Sequence, residues 1–196
     1  MKKLRILIAE AESQIRMELN SIVSSLGHEA LPAADGREAL SIFSDQAPDL
    51  AVIDIRMPFA DGFETARTMC RLRTIPILLL TASSEQIPVP NAASLLIQGY
   101  LVKPVEKPVL AAEIESAMAR FMESQALERE AAELRYDLES VKIVNRAKAI
   151  LIQRGKSEEE AYREIQKQAR SRRVSLRLAA NELLRTPAEN SPSNPP

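Results

Sequence analysis

Leu50-Ala51-Val52-Ile53-Asp54-Ile55-Arg56-Met57-Pro58-Phe59-Ala60-Asp61-Gly62 is the stretch that decides the fold. Four apolar residues end on a carboxylate, and an Asp-Gly pair closes the loop behind it. A nearly continuous apolar run suits a strand covered on both faces, as strands of parallel sheets are. Open parallel sheets place their chemistry at the carboxyl ends of the strands, which is where Asp54 falls. Working outward, further apolar runs lie at Leu4–Ala9, Glu29–Pro32, Ile75–Leu80 and Gln98–Val102, with the central one at Leu50–Ile55. Helical stripes separate them: Ile15, Leu19, Ile22, Val23 and Leu26, then Ala39, Leu40 and Phe43, then Phe63, Ala66 and Cys70. The alternation predicts an α/β fold, a doubly wound five-stranded parallel sheet over about 120 residues. Between the last two runs Pro88 and Pro90 remove helix donors, so a shortened or distorted element is expected over residues 83 to 94.

The 196 residues accommodate one large domain, or a medium domain with a small one attached. Hydrophobic content of 45% with 27% charged residues is that of an ordinary globular chain. The single Cys70 excludes an internal disulfide and reads as a core thiol. The single His28, after Gly27 in a predicted turn, makes a poor metal site. No apolar run reaches the ~18 residues of a membrane span. The opening Met1-Lys2-Lys3-Leu4-Arg5 leads into a strand rather than a signal peptide, so a cytoplasmic protein without a membrane partner is expected. Charge is divided unevenly. Residues 141 to 186 carry twelve Lys and Arg against five Glu, a net of +7, while residues 1 to 140 carry a net of -7. A basic rear segment behind an acidic front points to a polyanionic partner for the rear.

Between Pro108 and Gln153 there is neither Pro nor Gly, and helix formers dominate, which predicts one long helix. Leu127, Ala131, Leu134, Leu138 and Val141 within it follow the 4-3-4-3 rhythm of a coiled-coil seam. A parallel homodimer through this helix is the preferred reading, and packing against the chain's own domain is the alternative. Gly155 ends the helix, and Ser157-Glu158-Glu159-Glu160 is a capping box that opens a second, with Ala161, Ile165 and Ala169 inward. Ser175 caps a third, whose inward residues are Leu176, Ala179, Ala180, Leu183 and Leu184. The chain thus divides into a sheet domain over 1–120, a coiled-coil linker helix over 121–140, a three-helix module over 141–185 and a disordered tail over 186–196.

The acids near Leu4–Ala9, Asp54, Thr81 at the end of Ile77-Leu78-Leu79-Leu80-Thr81-Ala82, and Tyr100-Leu101-Val102-Lys103-Pro104 resemble the two-component response-regulator receiver family, of flavodoxin-like fold. The resemblance implies that Asp54 accepts a phosphoryl group and that Thr81 hydrogen-bonds it. Lys103 would supply the positive charge, Tyr100 would report the movement of Thr81 to the output face, and Lys103-Pro104 would be a cis bond. It also implies a Mg²⁺ site formed by Glu10, Asp54 and the backbone carbonyl of Arg56, and a sensor histidine kinase as partner. One position departs from the family. Ala11 stands where an acid usually binds the metal, leaving Glu10 to act through water and Glu12 as a stand-in. A weakened Mg²⁺ site is therefore expected, and two readings stay open: a working switch, and a receiver fold kept for dimerisation or docking.

From about residue 132, Asn145-Arg146-Ala147-Lys148-Ala149-Ile150-Leu151-Ile152, then Ser157 to Tyr162, then Ala179-Ala180-Asn181-Glu182-Leu183-Leu184 resemble the ANTAR module, the RNA-binding output of AmiR- and NasT-type transcription antitermination regulators. The family's usual Ala-Lys-Gly reads Ala147-Lys148-Ala149 here. The resemblance implies binding to paired RNA stem-loops in a leader transcript. Arg146, Lys148, Arg172, Arg173 and Arg177 are the candidate RNA contacts. Tyr162, the only aromatic between 141 and 185, is assigned to helix packing ahead of base stacking. Two other classes are weighed: a DNA-binding response regulator, which the missing helix-turn-helix pattern disfavours, and a protein-interaction adaptor. With no nucleophile–His pair and no Gly-rich phosphate loop, no catalytic residue is assigned and an enzyme is not expected.

Overall fold

The computed structural model describes residues 3–58, 61–82 and 97–185. Two compact units divide it, Met1–Ala126 and Leu127–Pro196. In the first, β1 (Arg5–Ala9), β2 (Glu29–Ala33), β3 (Leu50–Asp54), β4 (Ile77–Thr81) and β5 (Ile97–Val102) form one parallel sheet in the order β2-β1-β3-β4-β5. The flanking helices are α1 (Ser13–Ser25), α2 (Gly36–Gln46), α3 (Gly62–Leu72) and the first turns of α4 (Lys107–Gln153). The expected segment with Pro88 and Pro90 and the expected tail lie outside the described residues.

Alternation along the strands builds two cores. Ile6, Ile8, Val52, Leu78 and Leu80 face Leu19 and Val23 of α1 and Leu110, Ile114 and Ala117 of α4. Their neighbours Leu7, Ala51, Ile53, Ile77 and Leu79 face Ala39 and Phe43 of α2 and Ala66 and Met69 of α3. This is why the strands read as apolar runs rather than as alternating ones. One detail departs from the expectation. On α3 it is Met69, not Cys70, that is fully buried, and the Cys70 thiol is half-buried, its pKa pushed up by that burial.

The sheet positions the site through its strand order. Chain connections run in opposite directions from β1, to β2 on one side and to β3 on the other, so a crevice opens beyond the carboxyl ends of β1 and β3. Glu10 follows β1 and Asp54 ends β3. Gly62 closes the β3–α3 loop by donating its N–H to the Ile55 carbonyl at 3.0 Å.

In the second unit, α4 contributes Ala147 and Leu151 to a core completed by Ala161, Ile165 and Ala169 of α5 (Glu158–Arg172) and Ala179 and Ala180 of α6 (Leu176–Arg185). Gly155, at φ 88°, ends α4: its N–H reaches the Ile152 carbonyl and that of Lys156 reaches Leu151, so the last carbonyls are satisfied. The capping box forms as the sequence predicts, with Ser157 Oγ accepting from Glu160 N–H and Glu160 accepting from Ser157 N–H. Ser175 Oγ accepts from the Leu178 N–H at the start of α6. Leu127, Leu134, Leu138 and Val141 of α4 lie between 58 and 62% exposed. Among the described residues no helix is long and apolar enough to cross a membrane.

Candidate functional site

Glu10 is fully buried and Asp54 is 5% exposed, so two carboxylates share one crevice with little water. Such a pair needs a counter-charge. Lys103 provides it: its Nζ lies 2.6 Å from Glu10 Oε2 and 2.9 Å from Asp54 Oδ2. Glu10 Oε1 accepts the Glu12 N–H at 2.9 Å, and Asp54 Oδ1 accepts the Arg56 N–H at 3.3 Å. Burial pushes the Asp54 carboxyl above its usual range, against the hydrogen bond from Lys103, and the charge of Glu10 adds to the rise. Burial alone would lower the Lys103 ammonium, but its hydrogen bonds to Glu10 and Asp54 outweigh it and hold the pKa above the ordinary value.

Thr81 and Lys103 are tied through the backbone, the Lys103 N–H donating to the Thr81 carbonyl at 2.9 Å. The Thr81 hydroxyl is buried and donates to the Ala82 carbonyl at 3.2 Å. The Lys103-Pro104 bond is cis. Tyr100 pairs with Leu79 across the ladder, and its buried hydroxyl has no hydrogen-bond partner among the described residues. Asp54, Lys103 and Glu10 are thus in direct contact, with Thr81 joined to Lys103 through the main chain. Arg16 escaped the sequence reading: its guanidinium donates to the carbonyls of Glu10 at 2.7 Å and Ala11 at 3.1 Å, fixing the β1–α1 turn. An Arg on the first helical turn after an acidic loop was the available signal.

A hard divalent cation can be tested against these donors. Glu10 and Asp54 bring two carboxyl groups to the crevice, and the Lys103 ammonium contacts both. Mg²⁺ takes oxygen donors, usually one or two carboxylates with water and phosphate. Glu10, Asp54 and the Arg56 carbonyl meet that requirement. Ala11 adds no ligand. Among the described residues no three His, Cys, Asp or Glu side chains converge on a metal position, so the donor set fits but is sparse.

The second unit carries the cations. Lys148 pairs with Glu158 at 2.7 Å, Arg172 with Glu182, and Arg177 with Glu139 at 3.0 Å. The Arg177 guanidinium also lies over the Tyr136 ring, 4.4 Å from its centre. Arg146 and Arg173 are exposed. The five expected contacts come from three helices and their connections; of them Lys148 and Arg177 line one cleft. Three further cations stand outside that set of five. Arg163, Lys167 and Arg170 share one face of α5 with Gln166 and Ser171, along an open groove. Their i, i+4, i+7 spacing was legible as a helical stripe.

Comparison with known proteins separates the same two parts. Residues 6–115 match the response regulator receiver domain family, and residues 132–184 match the ANTAR domain family. The chain is 39% identical over 184 residues to the transcriptional regulatory protein PdtaR of Mycobacterium tuberculosis, covering 93% of this chain and 90% of that one. The transcriptional regulatory protein AfsQ1 of Streptomyces coelicolor is 36% identical over 115 residues, 59% of this chain and 51% of its own. A response regulator receiver domain protein from Clostridium thermocellum superposes with a TM-score of 0.56 at 25% identity, covering 61% of this chain and 97% of that one.

Proposed function

The chain belongs to the response regulator receiver family and carries an ANTAR output domain, and from that premise we propose that it is a transcription antiterminator that binds RNA stem-loops through its second unit. Such a protein is a regulator, not an enzyme. The observation that carries the reading is the charge: residues 141 to 186 bear a net +7, displayed on a bundle whose small core of alanines leaves the long side chains outside. RNA hairpin loops present unstacked bases and closely spaced phosphates, which cationic side chains hold. Arg146, Lys148, Arg172, Arg173 and Arg177 are the proposed contacts, joined by Arg163, Lys167 and Arg170.

The first unit is the signal input, over about 1–120, with a sensor histidine kinase as phosphoryl source. Asp54 is the proposed acceptor, its carboxylate aimed by the Arg56 N–H. Lys103 is placed to neutralise charge on the transferred group, and Thr81 to hydrogen-bond it. Mg²⁺, held by Glu10, Asp54 and the Arg56 carbonyl, would neutralise phosphoryl charge when bound.

Residues 121–140 are proposed as a dimer seam. Leu127, Leu134 and Leu138, three large apolar side chains at heptad positions and each more than half exposed, form the stripe that a second copy of the same helix covers. Two linked modules then bind two loops with a gain in effective concentration. The test is an electrophoretic shift with a two-hairpin RNA, a single hairpin and duplex DNA. The account expects the RNA pair to bind best, the single hairpin less well and the duplex weakly. Preference for the duplex would favour a DNA-binding regulator, and no shift with any of them an adaptor. Leu134→Asp/Leu138→Asp is expected to sediment as a monomer and to lose the advantage of the paired hairpins.

Arg173 offers a separate handle. It sits at φ 55°, in the left-handed region that favours glycine, at the end of α5. Arg173→Gly is expected to stabilise the second unit by about 1 kcal/mol while weakening RNA binding. A gain in thermal stability with undiminished RNA affinity would remove Arg173 from the contact set.

A further inference from the structure

The sequence assigned Tyr162 to packing ahead of base stacking, and the residue is 40% exposed. It forms one wall of a cleft of about 290 Å³ within the second unit. Val144 and Leu176 give the cleft an apolar lining, Asn145 adds a side-chain amide, and Lys148 and Arg177 add two cations. Each of these groups has a counterpart in one unstacked nucleotide. An aromatic face stacks a base, an amide offers both a donor and an acceptor to a base edge, and the cations suit its phosphates. The apolar lining favours a flat heterocycle over a bare phosphate. A carboxylate-rich peptide has no use for the stacking face.

Both cations are already engaged. Glu158 holds Lys148 at 2.7 Å, and Glu139 holds Arg177 at 3.0 Å while the Tyr136 ring also contacts the guanidinium. The two carboxylates therefore occupy the positions that phosphate oxygens would take on the same cations. We propose that this cleft receives one splayed-out base of an RNA loop, with Glu158 and Glu139 as internal competitors that the flanking phosphates must displace. The proposal rests on the RNA-binding reading and adds to it a named pocket and a sign: removing two acids strengthens binding. Ordinary charge complementarity would explain some gain, but it would not require Tyr162.

The test uses the full chain and a pool of RNA stem-loops with randomised loops. Tyr162→Leu is expected to lower affinity by about tenfold, the scale of one lost base–aromatic stack, whereas Tyr162→Phe keeps the stacking face and the affinity. Glu139→Gln/Glu158→Gln is expected to raise affinity roughly two- to fivefold at low salt, as loss of two exposed ion pairs allows. Unchanged affinity in Tyr162→Leu, with the wild type binding well, overturns the cleft and leaves the RNA reading standing. A wild type that binds no member of the pool overturns both. Should Tyr162→Leu lose its helical circular dichroism, the glutamate variant decides alone, and no gain there overturns the proposal. Displacement of the RNA by free nucleoside monophosphates at millimolar concentration would mean a mononucleotide site, and would also overturn it.

Discussion

Lys103→Ala is expected to destabilise the first unit by about 3–5 kcal/mol, the usual result of removing one partner from a buried ion pair. The reason is local. Glu10 is fully buried and Asp54 nearly so, and Lys103 is the cation in contact with both. Without it two carboxylates face each other in a crevice that already pushes Asp54 upward through burial and the charge of Glu10. The pH dependence follows in sign. A carboxyl whose folded pKa lies above its unfolded one binds more protons when folded, so stability falls as pH rises through that range. The variant's deficit should therefore be largest near neutral pH and shrink on acidification towards the ordinary carboxylate range. Lys103 in the wild type acts in the opposite window: its raised pKa gives stability fully present at neutral pH and lost only in strong alkali. Denaturant titrations of wild type and variant at several pH values measure both. Asp54→Asn in the Lys103→Ala background should recover much of the loss, because the two residues act as a unit.

Gly62→Ala is the second large effect. A Cβ at Gly62 would meet the Asp54 carbonyl carbon and the Ile55 Cα at 2.9 Å, with the Asp54 carbonyl oxygen closer still. The obstacle is backbone, so no rotamer change relieves it. Either α3 withdraws from the end of β3 or the Asp54 main chain shifts. Overpacking of this kind typically costs about 1–3 kcal/mol, and here the displaced atoms carry the proposed phosphoryl acceptor. The variant is expected to lose stability by that amount and to lose labelling of Asp54 by a small phosphodonor, followed by intact mass. Full labelling in a stable variant would show that the β3–α3 loop tolerates the methyl group and does not set the Asp54 geometry.

The physical basis of these predictions was only partly legible in the sequence. The strands were readable because both faces of the sheet are covered, which leaves nearly continuous apolar runs such as Leu50-Ala51-Val52-Ile53. Helix ends were readable because Gly155, Ser157 and Glu160 act over three or four residues. The α3 stripe of Phe63, Ala66 and Cys70 does pack against the core, but the deepest residue is Met69, since Met69 and Cys70 both suit a 3.6-residue period and only the neighbouring sheet ranks them. Partners far apart in the chain left no local trace. Lys103 reaches Asp54 across 49 positions, and Arg177 reaches Glu139 across 38. The contact of Gly62 with the Asp54 backbone likewise depends on how the loop closes, which composition does not encode. The exposure of Tyr162 was not legible for a related reason: a lone aromatic at helical spacing fits a core, and how much of it stays open depends on the angle between α4, α5 and α6.

The central claim is that the cationic helices of the second unit grip RNA, and the salt dependence of that binding tests it most directly. Each phosphate neutralised on single-stranded RNA contributes about -0.7 to the slope of log K against log salt. For the full chain with a two-hairpin RNA, the account predicts a steep negative slope. It also predicts that the slope becomes shallower by roughly one unit or more in Arg172→Ala/Arg173→Ala. A flat slope, or one that the double substitution leaves unchanged, would contradict it.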